Sequence, residues 1–499
     1  MRSLFIVAPN LILCLGSVFL LLAGLWVQSN AFLVGSTLVA LLSAAAVFFS
    51  MAGNEAQDAF GGLIVFDGLG LFFATFSILA TALCVLVSAR STEIKADRRS
   101  EYYSILLALV TGLVFMGMSS HLLMIYLALE TVSILSYTLA GFNRERSDSV
   151  EASMKYVVYG SMASAVMVFG MSLLYGVTGA MDLIGIREYM STTPVEQIPS
   201  MLWVATTMIF AGIGYKISAA PMHMWTPDVY EGAPTPVSAL FSVAPKAAGL
   251  ALLIRFFVTG YSSELEATGA QGVAQSFQSI GTFGWPQFLM VSSVFTMFMG
   301  NLAALGQVSV KRILAYSSIA HAGYMLMGAT TQTDLGISSI AFYVFVYCLM
   351  NVGAFWVASK VEDAFGGDDL RHFRGLVYSR PFYAIVMAVF LFSLVGLPPF
   401  AGFIGKLYLF QAVLAREMYG FALFAALNSV ISLYYYVKIV RAMFLEKAEL
   451  KLPEGKTPFD SKAAMVFLTL LAVPNVVLGL YWEPVMRLAS MATDIFVGK

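Results

Sequence analysis

Five ionisable side chains stand inside apolar runs long enough to cross a bilayer: Glu130, Lys216, Lys246, Lys406 and Lys438. A charge near the bilayer centre costs about 2.5–3.5 kcal/mol on insertion scales, and such residues mark ion or proton pathways. Amines and carboxyls exchange protons, so the chemistry within reach is proton relay. A free lysine, with a pKa of about 10.4, holds its proton at neutral pH. Burial weakens that hold and a nearby carboxylate strengthens it. A lysine whose carboxylate neighbour moves can therefore take up and release a proton.

The spacing around these residues fits such a path. Tyr126, Glu130, Ser133 and Tyr137 recur at i, i+4, i+7 and i+11, which makes one polar helix face. Ser238, Ser242 and Lys246 recur every four residues. Lys216 ends the segment Gly212-Ile-Gly214-Tyr-Lys216, with Pro221 five residues on. Lys406 ends Gly402-Phe-Ile-Gly405-Lys406, just after Gly396-Leu-Pro398-Pro399. Glycine and proline interrupt helices, and interrupted helices at membrane depth line cavities and mark ion sites in transporters.

Plainer roles remain open for several positions. Lys216 and Glu130 also fit a structural ion pair. His321, in Ala-Tyr-Ser-Ser-Ile-Ala-His-Ala-Gly-Tyr, fits a relay or a hydrogen-bonded structural histidine. Lys438 lies near the end of its span, with Arg441 a turn on, and fits a snorkelling side chain as well as a relay. His121 and His372, at span ends or in loops, read as solvated. Pro221 stands between Lys216 and His223 and leaves their shared face open. The 27 methionines and the aromatic stripes read as packing and interface belts.

The elements that must hold these groups follow from composition. Of 499 residues only 11% are charged and 59% are hydrophobic, against about 25% charged in soluble domains. That excludes a soluble enzyme and a disordered chain, and the net charge of −1 leaves no footprint for nucleic acid. The fold class is an all-α polytopic membrane protein. Apolar stretches at 4–27, 31–51, 63–89, 101–119, 121–142, 152–179, 200–224, 234–259, 285–306, 312–329, 334–359, 380–414, 420–445 and 463–490 give about fourteen transmembrane helices. The first run is too long for a signal peptide and reads as a span. The run 380–414 is too long for one straight helix. Cys14, Cys84 and Cys348 are isolated and no nucleotide-binding loop is present, so neither a cofactor nor a metal is expected on this chain.

Eighteen basic residues fall in loops after odd-numbered spans and six on the other side. The positive-inside rule then puts both termini on the non-cytoplasmic side. The in-span charges also hint at a repeat. Lys216 and Lys406 are 190 positions apart, Glu130 and His321 are 191, and Lys246 and Lys438 are 192. This relates spans 4–8 to spans 9–13. Five spans is an odd number, so the two units must be inverted. The expected layout is an N-terminal three-helix segment (1–100), a first five-helix repeat (101–260), a second (285–445), and a C-terminal loop with span 14 (446–499).

From Lys216 through Ile-Ser-Ala-Ala-Pro-Met-His-Met-Trp-Thr-Pro-Asp-Val-Tyr-Glu-Gly-Ala-Pro-Thr-Pro-Val to Ser238 the sequence resembles the subunit N family of bacterial NADH-quinone oxidoreductase, respiratory complex I. The resemblance continues through Pro245-Lys246-Ala-Ala, Lys311-Arg312-Ile-Leu-Ala-Tyr-Ser-Ser-Ile-Ala-His321-Ala-Gly-Tyr324 and Gly396 to Lys406. It covers essentially the whole chain. It implies an antiporter-like membrane-arm subunit with two inverted five-helix repeats and broken helices in spans 7 and 12. It implies that Glu130 and Lys216 form the charge pair of a first half-channel and that Lys246 is the central relay. His321 then bridges on the central axis, and Lys406 serves a second half-channel toward the outer side. The implied partners are other membrane-arm subunits, the lipid bilayer and protons, with no nucleic acid. NADH, FMN, iron–sulfur clusters and quinone would be handled by other subunits, and the location would be the bacterial inner membrane. An Mrp-type cation/proton antiporter subunit and a purely structural membrane-arm subunit are the competing functions.

Overall fold

The computed structural model describes residues 2–53, 55–193, 197–264, 277–279, 284–450 and 457–495. Ten helices among them are long and apolar enough to cross a membrane. Shorter apolar helices cover Ala8–Ala23, Met201–Ile217, Pro381–Val395 and Ala401–Ala415. This is a multi-pass helical membrane protein. The shorter helices arise where the apolar run and the helix part company. The run 200–224 holds helix only over Met201–Ile217, with the short helix Thr226–Gly232 following beyond its end, and the run 380–414 is divided into Pro381–Val395 and Ala401–Ala415. The final run stops at Leu480 and restarts as the amphipathic helix Glu483–Ser490.

Burial sorts the helices into centre and rim. Every residue of the Lys246 helix, Thr235–Tyr261, is buried. Nearly all of the helix Asp334–Phe365, which carries Glu362, is buried with it. These two pack on each other. By contrast Lys462–Leu480 and Asn30–Met51 turn leucine, valine and phenylalanine outward. A helix apolar all round marks the centre, and an apolar outer face is ordinary where the solvent is lipid.

Small residues set the closest approaches. The helix Trp285–Leu305 lies against the His321 helix, Val310–Ala329. A Cβ added at Gly300 would fall 2.6 Å from the Ala320 nitrogen, and one at Gly323 would fall 2.7 Å from the Met297 nitrogen. Backbones meet this closely in membranes because packing, rather than hydrophobic expulsion, drives helix association.

The two interruptions share a form. Met201–Ile217 ends at Ser218 (φ 62°) and the chain passes through a cis Ala220–Pro221 peptide. Pro381–Val395 ends at Gly396 (φ 87°) and passes through a cis Pro398–Pro399 peptide. The flanking elements also match in length. Ser147–Thr178 and Asp334–Phe365 each have 32 residues, and Thr235–Tyr261 and Tyr419–Leu445 each have 27. Ser218 and Gly396 are 178 positions apart, not the 190 that separates the two lysines. Lys216 therefore stands before its break and Lys406 after its own.

Four residues read as lying in loops or solvent are buried. Arg255 is not an outer-loop residue: its helix runs on to Tyr261, and its guanidinium is fully buried against Asp67 at 2.7 and 2.8 Å. It also donates to the Gly117 carbonyl. Asp67 accepts from the Gly70 nitrogen and so caps the helix Gly68–Ser88. Lys311 and Lys360 belong to helices and are buried. His372 is buried too, with Nδ1 at 3.2 Å from the Asp369 carbonyl.

Candidate functional site

Glu130 sits on Leu122–Ala140, a helix begun by His121, whose Nδ1 accepts from the Leu123 nitrogen. Lys216 occupies the last turn of Met201–Ile217, where a cation complements the helix dipole. Glu130 lies close enough for its charge to act on Lys216, yet the two make no ion pair within 4 Å among the described residues. One Glu130 oxygen and the Lys216 ammonium are buried without a hydrogen-bond partner there. Buried polar groups of this kind are completed by water. The lysine stem runs along Gly249, whose added Cβ would stand 3.6 Å from Lys216 Cγ. Its ammonium lies 5.8 Å from the Tyr156 ring centre, and that ring stacks on Trp225 at 4.3 Å.

The break beside Lys216 is held by side chains. Trp225 Nε1 donates to the Tyr215 carbonyl at 3.1 Å. The Ala220 nitrogen donates to Thr296 at 2.8 Å, and Ser292 donates to the Ala220 carbonyl at 3.2 Å. Interrupted backbone is tolerated at membrane depth only where such partners satisfy it.

Lys246, on the central helix, donates to Ser318 at 2.8 Å and lies 5.7 Å from the Tyr230 ring centre. Ser318 is one turn from His321 on the same helix. His321 is held on both ring nitrogens, by Tyr343 at 2.7 Å from Nδ1 and by Tyr436 at 3.1 Å from Nε2. Tyr436 is itself bonded to Ser317 at 2.5 Å.

Lys406 lies on the half-helix after the second break. It donates to the Val395 carbonyl at 2.8 Å and to Ser429 at 2.9 Å. Val395 ends the half-helix before the break, so the ammonium caps its negative end. The Tyr324 ring centre is 4.6 Å away. Gly396 leaves room for this: a Cβ there would meet Lys406 Cδ at 2.9 Å.

Lys438 is placed apart from this series. It is part-buried and donates to the Gln307 carbonyl at 2.8 Å. It lines a cavity with Arg374, Arg441 and Glu446. The groups that sequence reasoning passed over are the aromatic and hydroxyl partners: Tyr156, Ser318, Tyr324, Tyr343, Ser429 and Tyr436. Ser317 and Ser318 were visible in the His321 segment, but nothing in their spacing ties them to a lysine 72 positions away.

A polytopic helical protein that keeps a series of lysines, a histidine and a carboxylate in its core, beside two interrupted helices, is built like an ion-translocating membrane protein. Comparison with known proteins agrees. The profile of the family described as NADH:quinone oxidoreductase/Mrp antiporter, TM matches residues 119–268 and 272–432. NADH-quinone oxidoreductase subunit N of an Anaeromyxobacter species is 40% identical over 100% of this chain and 98% of its own length. A chain in the structure of respiratory complex I from Thermus thermophilus superposes with a TM-score of 0.79 at 30% identity, covering 97% of this chain and 99% of that one. A chain of the Mrp complex from a Dietzia species superposes with a TM-score of 0.80 at 20% identity, covering 97% and 96%, which speaks to the fold alone. The chain belongs to the NADH:quinone oxidoreductase/Mrp antiporter family of membrane proteins.

Proposed function

We propose that this chain is a proton-translocating, antiporter-like membrane-arm subunit of an NADH-quinone oxidoreductase. The full-length 40% identity to a subunit N carries the assignment. Protons move along the series Glu130, Lys216, Lys246, His321 and Lys406. Glu130 and Lys216, which make no ion pair within 4 Å among the described residues, form a movable charge pair; displacing one changes how tightly the other holds its charge. Lys246 takes the proton at the centre. Ser318, bonded to Lys246 and a turn from His321, leads toward the histidine. Tyr343 and Tyr436 fix the ring, and Lys406 passes the proton on to the outer side. Lys438, tied to a backbone carbonyl, stays outside the relay.

The driving energy comes from quinone reduction elsewhere in the complex, where other subunits hold FMN, iron–sulfur clusters and the sites for NADH and quinone. Other membrane-arm subunits are the partners. The equal helix lengths and matching breaks support two inverted five-helix repeats at 101–260 and 285–445 within a fourteen-span chain. The face bearing Arg90, Lys95, Arg146 and Lys311 is cytoplasmic, in the bacterial inner membrane, and both termini lie outside. An Mrp-type antiporter shares the fold, but the closely similar relatives are named as oxidoreductase subunits.

The charge pair is tested by Glu130→Ala and Lys216→Ala, made separately in the intact complex. Each should depress proton pumping and coupled quinone reduction while assembly is retained. Wild-type pumping in both assembled variants would remove the pair from the mechanism and favour a purely structural subunit.

A further inference from the structure

A second set of titratable groups lies outside the relay, at the basic face. Glu93, in the loop after Gly68–Ser88, and Glu362, near the end of its central helix, both hold Thr235, the first residue of the Lys246 helix. Glu93 accepts from the Thr235 nitrogen at 2.8 Å, and Glu362 accepts from its hydroxyl at 2.6 Å. Lys311 lies 3.3 Å from Glu362, and Arg146 lies 3.4 Å from Glu93 and 3.5 Å from Glu362. Asp368 accepts from the Lys311 nitrogen at 3.0 Å. The two carboxylates border a charged cavity of about 730 Å³ whose rim is formed by exposed acidic and basic side chains such as Glu151 and Lys155.

Two polar stripes run inward from this pair and face each other. On the Lys246 helix, Thr235, Ser238, Ser242 and Lys246 fall at spacings of three, four and four, on one face. On the Glu362 helix, Glu362, Asn351, Tyr347 and Tyr343 fall at spacings of eleven, four and four, again on one face. The stripes touch where Thr235 meets Glu362 and where Asn351 donates to Ser242 at 2.5 Å. They end on the relay: Lys246 bonds Ser318, and Tyr343 bonds His321. The first stripe spans about 16 Å at 1.5 Å per residue. The hydroxyls along it donate to backbone carbonyls, Ser238 to Tyr230 and Ser242 to Ala239. The stripe is therefore not a closed wire. Asn351 Oδ1 is buried and without a partner among the described residues. The hydroxyls of Tyr230 and Tyr347 are likewise buried and without a hydrogen-bond partner among the described residues. Orphaned polar atoms in line, between one wholly buried helix and one nearly so, are places for water.

We infer that the Glu93–Glu362 pair is the cytoplasmic proton-loading site and that the facing stripes, hydrated between Ser238 and Tyr347, deliver the proton to Lys246. This rests on the relay proposed above and adds a cytoplasmic entry at Lys246, beside the Glu130–Lys216 pair. The pair binds one proton from cavity water. When that proton passes to the Lys246 amine, the carboxylate left behind is balanced by Lys311 and Arg146 until the next proton arrives. Burial, and after it the charge of Glu362, raises the Glu93 carboxyl to about 7, with Lys311, the Thr235 nitrogen and Arg146 opposing. The loaded fraction therefore falls as cytoplasmic pH rises through neutrality.

The test uses inverted membrane vesicles, cytoplasmic face outward, with the whole complex driven by NADH. Glu93→Gln keeps an acceptor for the Thr235 nitrogen but cannot titrate. It should slow pumping by about tenfold or more and remove the fall of pumping as external pH rises through about 7. Glu93→Asp should restore that limb. Asn351→Leu, far from the ion cluster, should slow pumping comparably by drying the stripe, and it decides the matter if Glu93→Gln does not assemble. Assembled Glu93→Gln and Asn351→Leu complexes that pump with wild-type rate and pH profile would overturn the loading path. So would a Glu93→Gln complex that is slow but keeps the wild-type pH limb. If Lys246→Ala loses pumping while those variants do not, the loading path alone has failed; if Lys246→Ala also pumps normally, the relay has failed.

Discussion

Each lysine of the series is buried by a different device, and the devices predict different sensitivities. Lys406 caps a helix end through the Val395 carbonyl, Lys246 rests on Ser318, and the Lys216 ammonium has no hydrogen-bond partner among the described residues. Lys438 reaches the Gln307 carbonyl, away from the series. Replacing it with alanine removes one part-buried hydrogen bond from a charged donor, about 1.5–3 kcal/mol. Lys438→Ala should therefore leave NADH-driven pumping near wild type in membrane vesicles, whereas Lys246→Ala should abolish it. Equal and severe losses would bring Lys438 into the relay. The lysines were legible in the sequence because charge is so scarce in these spans. Their partners were not. Tyr343 and Tyr436 are two of 23 tyrosines, most of which suit interface belts equally well, and only packing brings them to His321.

Helices position these residues through their interruptions and their glycine contacts. Gly396-Leu-Pro-Pro announced the second break in the sequence, because a left-handed residue followed by proline cannot continue a helix. The first break was less obvious, since Ser218 rather than glycine takes the positive φ. The glycine contacts between Trp285–Leu305 and the His321 helix carry no motif, and only the fold reveals that a Cβ has no room there. Gly300→Leu should force these helices apart, costing about 1–3 kcal/mol, and should lower the thermal unfolding midpoint of the detergent-solubilised complex. An unchanged midpoint would mean that the contact is looser than the 2.6 Å clearance indicates. Hydropathy also misplaced helix ends. It stopped the Lys246 helix two residues before Tyr261, and the charge count placed Arg255 outside although the run 234–259 contains it; the structure buries it against Asp67.

Across the whole molecule, the two central helices join both ends of the path. Their polar faces run from the carboxylate pair at the basic face to Lys246 and His321, while their remaining faces are sealed by apolar neighbours. That design was half legible. Membrane class, the broken helices and the candidate carriers follow from composition and from glycine and proline placement. The pairing of Glu93 with Glu362 does not, because a count of loop charges sees two more acids and no contact across 269 positions. The relay's central claim is that protons pass through Lys246. The direct test is to reconstitute the complete complex carrying Lys246→Ala into proteoliposomes and to follow proton uptake and NADH oxidation together. The account predicts an assembled complex whose proton uptake is lost and whose quinone reduction falls with it. An assembled variant that keeps the wild-type rate and the wild-type number of protons per electron would contradict it.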